Sequence, residues 1–93
     1  MLIGLLQVEL HIPQSGSLKS KRFVLKSLKT RLRNKFNVSV AEVDGEDKWQ
    51  RSVLGIAMVG NERRFLEGAS SQILNYIERE AEAELCDSRF EIL

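Results

Sequence analysis

The chain has one cysteine, Cys86, so it can form no internal disulfide. That fits a reducing compartment and excludes the disulfide-stapled class of small secreted domains. His11 is the single histidine, there is no cysteine cluster, and Cys86 alone offers no metal site. The apolar run Leu2 to Leu6 has no basic residues before it, and Gln7 and Glu9 follow, so no signal peptide is expected. No apolar run approaches the ~20 residues that a membrane span needs. The expected setting is cytoplasmic. No repeat, linker or low-complexity run is present. The sharpest absence is of acid: there is no Asp or Glu from Pro13 to Ala41.

Base fills that gap. Leu18 to Lys35, LKSKRFVLKSLKTRLRNK, holds eight of the fourteen Lys and Arg, a local charge of +8. The remainder has six basic and thirteen acidic residues, −7, so the net charge of +1 hides two opposed halves. At about 100° per residue, Val24, Leu25, Leu28 and Leu32 share one arc, with Leu18 at its edge. That arc is the buried stripe of an amphipathic helix. Lys19, Arg22, Lys26, Lys29 and Arg33 fall within a neighbouring arc of roughly 80°. Lys21, Arg31 and Lys35 fall elsewhere, nearer the core edges, and Phe23 points away from the core among Ser27, Thr30 and Asn34. Ser17 is placed to cap the helix. Lys19, Lys21 and Arg22 carry the wrong sign for the first turn of a helix dipole, each costing ~0.3–1 kcal/mol unless acids or a bound anion offset it.

The flanking segments complete a pattern. Leu2 to Ile12 alternates from Leu6 onward and reads as a strand. Phe36 to Val43 reads as a second strand, followed by a polar turn around Gly45. Trp49 to Val59 is a third, apolar on both faces at its centre and so expected inside its sheet. Asn61 is placed as an N-cap with Glu62 opening a second helix along Leu66, Ala69, Ile73 and Ile77. Glu84 to Leu93 reads as a polar edge strand. Residues 1–93 suit a single domain. The order βαββαβ predicts an α+β class, ferredoxin-like sandwich: a four-stranded antiparallel sheet, strands one and three central, both helices on one face. The first and third strands carry apolar residues on both parities, so the uncovered face is expected to be partly apolar. Such a patch points to a homo-oligomer, a dimer.

Three blocks, SLKSKR at Ser17 to Arg22, NKFNVSVAEV at Asn34 to Val43 and DKWQRSVLGIAMV at Asp47 to Val59, resemble the YlxP-like family of small uncharacterised bacterial proteins. The resemblance spans essentially the whole chain. It implies a ferredoxin-like fold. Through the company these proteins keep with translation factors and ribosome-binding factor A, it also implies a link to ribosome assembly. It assigns no residue a role.

Function therefore rests on the basic helix. As a nucleic-acid surface, Lys19, Arg22, Lys26, Lys29 and Arg33 neutralise phosphates and Phe23 stacks a base, with an RNA or ribosomal subunit as partner. The plainer reading is a solvated face balanced by Glu62, Glu67 and Glu78 on the second helix. The open sheet lacks the paired aromatics of an RNA-recognition motif and is expected to carry Glu9 and Glu42, so the helix is the better RNA surface. Trp49 and Arg51 are candidate partner anchors, against the plainer reading of a Trp covering the core rim. His11 with Glu9 suggests a general-base pair, but a lone histidine near a strand end is ordinarily a surface residue. Gly4, Gly55 and Gly60 form no phosphate loop. No catalytic constellation and no cofactor are expected. The leading expectation is a non-catalytic RNA- or ribosome-associated protein. The alternative is a protein-interaction module, dimeric through its open sheet, with no nucleic-acid role.

Overall fold

Two ten-residue strands form the centre of the sheet. In a computed structural model that describes residues 1–13 and 15–93, β1 (Leu2–His11) pairs antiparallel with β3 (Arg51–Gly60), Leu6 opposite Ile56 and Val8 opposite Leu54. The edges are β2 (Ser39–Asp44) beside β3 and β4 (Glu84–Ile92) beside β1, giving the order β2-β3-β1-β4. Helices α1 (Leu18–Lys35) and α2 (Arg63–Glu80) cover one face. The even-numbered residues Leu6, Val8, Leu10, Leu54 and Ile56 meet Leu25, Leu28, Leu32, Leu66, Ile73 and Ile77 in one buried cluster. The alternation of the strands and the 3.6-residue period of the helices thus aim their apolar stripes at the same layer.

Helix α1 runs from Leu18 to Lys35 as its periodicity predicts, and Ser17 Oγ accepts the Ser20 N–H at 3.1 Å. Three boundaries differ from expectation. Phe36 does not open β2: its N–H closes α1 on the Leu32 carbonyl, and its ring meets Tyr76 edge-on at 6.1 Å. Trp49 and Gln50 precede β3 rather than belonging to it. Asn61 is not the cap of α2; Glu62 takes that position with no side-chain cap bond, and the helix opens on Arg63.

A register shift between Glu42 and Asp44 has a larger effect. Glu42 stays on the helix-covered face opposite Leu54, while Asp44 is opposite Val53 on the open face. The extra residue, Val43, folds over Gly55, where an added Cβ would meet Val43 Cγ1 at 3.0 Å. Gly55 therefore permits a close approach at a bulge. The open face is apolar along Ile3, Leu5, Ala57 and Val59, paired Ile3 to Val59 and Leu5 to Ala57, with Val43 and Val59 more than half exposed.

Candidate nucleic-acid interface

Along α1 the stripe faces solvent. Lys19, Arg22, Lys26 and Arg33 are exposed and Lys29 is half-buried. Among the described residues, Lys19, Arg22, Lys26 and Lys29 have no carboxylate within ion-pairing distance; Glu62, Glu67 and Glu78 reach none of them. The rotation of the helix explains this. Arg31, on the flank toward α2, donates to the Glu80 carbonyl at 3.0 Å. Arg33, on the opposite flank, donates to the Val40 carbonyl of β2 at 2.6 Å. The stripe lies on that second flank and points away from the acids of α2. Arg33 is accordingly tied to backbone, leaving four cations unmatched.

Phe23 stands beside them, 76% exposed. It belongs to the wall of a cleft of about 830 Å³ between the end of β1, the first turns of α1 and the α2–β4 connection. Buried Ile12 and half-buried Val24 form its apolar base; Pro13, Lys19 and Glu82 complete the rim. Val24, expected inside the core, lies at this margin instead.

A lysine takes the core position. Lys21, expected near the core edge, is 1% exposed. Its Nζ lies 2.9 Å from Glu42 Oε2 and also donates to the Gly45 carbonyl. The same carboxylate oxygen accepts from Ser52 Oγ at 2.7 Å. Gly45 adopts φ +81°, a left-handed turn suited to glycine. The helical wheel carried this signal: Lys21 falls between Leu28 and Leu32, about 20° from each. Glu42, expected on the open face, is a structural partner beneath α1.

The remaining candidates separate. Trp49 is 57% exposed. Arg51 Nε reaches Glu9 at 3.3 Å and its NH1 reaches Asp44 at 3.6 Å. The hydrogen bond to Glu9 and that carboxylate's charge push the Arg51 pKa above its ordinary value, with a smaller contribution from Asp44. The His11–Glu9 pair does not form, because Glu9 is taken by Arg51 and His11 Nδ1 faces Glu84 at 3.6 Å. His11 and Trp49 line a shallow depression with Lys48, Gln50 and Arg51. No group of three or more His, Cys, Asp or Glu able to hold a metal occurs among the described residues. No helix among them is long and apolar enough to cross a membrane.

The strand order and the paired helices define a ferredoxin-like α+β protein. A de novo designed protein with ferredoxin fold, LFR1 1, superposes with a TM-score of 0.57 over 100% of this chain and 84% of its own, at 12% identity. The de novo designed protein Ferredog-Diesel does so with a TM-score of 0.52 over 96% and 83%, at 11% identity. Likeness at such identity concerns the fold alone. The chain belongs to the family described as "Protein of unknown function (DUF503)", whose sequence model matches residues 3–90. It is 42% identical over 90 residues to "Uncharacterized protein YlxP" of Bacillus subtilis (strain 168), covering 97% of this chain and 98% of that protein. The resemblance carried by the three sequence blocks is thus a family relationship.

Proposed function

We propose that the protein is a non-catalytic, cytoplasmic RNA- or ribosome-associated binding protein that makes its contact through α1. One observation carries this reading: Lys19, Arg22, Lys26 and Lys29 lie on one helix face with no carboxylate partner among the described residues. Surface lysines ordinarily find diffuse compensation, but here the acids of α2 lie on the other flank. From Lys19 to Lys29 the row extends roughly 15 Å at 1.5 Å per residue, long enough to follow several phosphates of a backbone. Exposed Phe23 adds a π-face for an unpaired base.

The test is binding to ribosomal subunits and to a structured RNA across a salt series. Four to five phosphate contacts give a slope of log affinity against log salt of about −3 to −4. Replacing Lys19, Arg22, Lys26 and Lys29 with Gln removes the binding and leaves the fold intact. Unchanged binding in that variant refutes the reading.

A second reading has its own observation. The apolar strip of Ile3, Leu5, Val43, Ala57 and Val59 on the open sheet suits a protein partner, with a second copy of this chain the simplest one. On this reading Trp49 is an additional anchor, and nucleic acid plays no part. A discrete protein partner that survives nuclease treatment supports it over the first.

A further inference from the structure

The cleft beside the stripe brings together three chemistries that the fold leaves uncommitted. Phe23 presents an exposed ring above the apolar base of Ile12 and Val24. Lys19 and Glu82 line the same cleft with opposite charges, yet no ion pair joins them, and neither has another ion-pair partner among the described residues. The hydroxyls along the wall are already engaged: Ser15 Oγ donates to the Ser17 carbonyl at 3.0 Å, and Ser20 Oγ donates to that carbonyl at 3.1 Å. Recognition therefore falls to the ring, the cation and the carboxylate.

A flat aromatic ligand that carries both N–H donors and a phosphate meets all three. A base stacks on Phe23, its phosphate faces Lys19, and Arg22 and Lys26 continue the contact along the strand. The carboxylate then selects among bases. Guanine alone presents two adjacent donors, N1–H and the N2 amino group, on its Watson–Crick edge, and a carboxylate accepts both at once. Adenine and cytosine place an acceptor beside their one donating group, and uracil flanks its single donor with acceptors, so their lone pairs oppose Glu82. A duplex hides both the ring face and that edge. We propose that this cleft holds one unpaired guanine of a single-stranded RNA, with Phe23 stacking on the base and Glu82 reading its Watson–Crick edge. The proposal rests on α1 being the RNA surface; the stripe supplies affinity and the cleft supplies selection.

Fluorescence anisotropy with labelled heptauridine tests it, alongside the same strand with its central residue changed to guanosine, adenosine or cytidine, and a blunt duplex. The guanosine strand binds at least about fivefold more tightly than heptauridine, the low end for a bidentate base contact. Glu82→Gln abolishes that difference: it weakens the guanosine strand and strengthens heptauridine, whose acceptors no longer face a carboxylate. Phe23→Ala weakens every single strand by about fivefold or more and leaves the duplex unchanged. Both side chains are exposed, so neither change threatens the fold. Equal, salt-dependent binding of all strands and of the duplex, unmoved by either variant, overturns the cleft proposal and leaves the basic-helix reading standing. Guanosine monophosphate competing as strongly as the guanosine strand overturns the strand as occupant. No binding of any RNA at low salt overturns both readings together.

Discussion

Lys21 and Glu42 form a buried ion pair between α1 and β2, Nζ to Oε2 at 2.9 Å. Glu42 is the first acid after the acid-free stretch, and it meets the one fully buried cation within that stretch. The pair ties the first turn of the basic helix to the bulged end of β2 and, through the Gly45 carbonyl and Ser52, to the turn and strand beyond. It also offsets one of the three first-turn cations that oppose the helix dipole.

Removing Lys21 alone leaves Glu42 nearly buried and uncompensated. Lys21→Met is expected to lower stability by about 3–5 kcal/mol, the usual cost of breaking a buried pair. The double variant Lys21→Met, Glu42→Gln recovers most of that loss, because no charge is then stranded. Urea unfolding of the two variants checks both; equal stability of single and double variants contradicts the pairing.

Gly45 holds a left-handed conformation, and an added Cβ would meet the Arg51 carbonyl at 2.9 Å. Gly45→Ala is expected to destabilise by about 1–3 kcal/mol through strain at that φ. Gly16, where an added Cβ meets nothing within 4 Å among the described residues, is the control, and its Ala variant remains near wild type. Thermal unfolding of the two variants distinguishes a local turn requirement from a general effect of glycine removal.

The exposed stripe behaves in the opposite way to Lys21. Gln at Lys19, Arg22, Lys26 and Lys29 relieves repulsion at i, i+3 and i+4 and removes two first-turn cations. Stability is therefore unchanged or raised, by about 0.3–1 kcal/mol per first-turn site. RNA binding falls over the same series, with the salt slope reduced by about one for each lost phosphate contact. A fall in stability beyond about 1 kcal/mol would reveal structural partners for these side chains.

The second functional reading is checked on the other face. Val59→Lys places a charge in the apolar strip at a position already more than half exposed, so the monomer tolerates it. If a second copy covers the sheet, sedimentation velocity shows wild-type dimer and variant monomer. A wild-type monomer at high concentration removes that interface.

The fold was legible because each element carried its own period. Leu25, Leu28 and Leu32 mark one helix face, Leu6, Val8 and Leu10 one strand face, and Ser17 the start of α1. Glu42 was also readable: it shares parity with Val38 and Val40 and so belongs under the helices. Lys21 sat within the apolar arc of the wheel, but its residue type argued for the surface, and tertiary pairing overrode that preference. Two features had no local signal. The bulge at Val43 puts neighbouring residues on the same face, which alternation cannot express. The rotation of α1 about its axis decides that the stripe turns from α2, and the cleft gathers Phe23 and Glu82 from segments nearly sixty residues apart in the chain.

The strand order also governs when the fold can form during synthesis. Both neighbours of β1 come from the second half of the sequence: Leu2 pairs with Gly60 and Gly4 with Ile92. As the chain emerges, β1 and the basic helix are made first, and the apolar strand has nothing to pair with until β3 follows. Its outer edge is closed only when β4 arrives. Non-local pairing of this kind delays folding until most of the chain is available. While it waits, β1 is an unpaired, largely apolar segment followed by an acid-free stretch with a charge of +8.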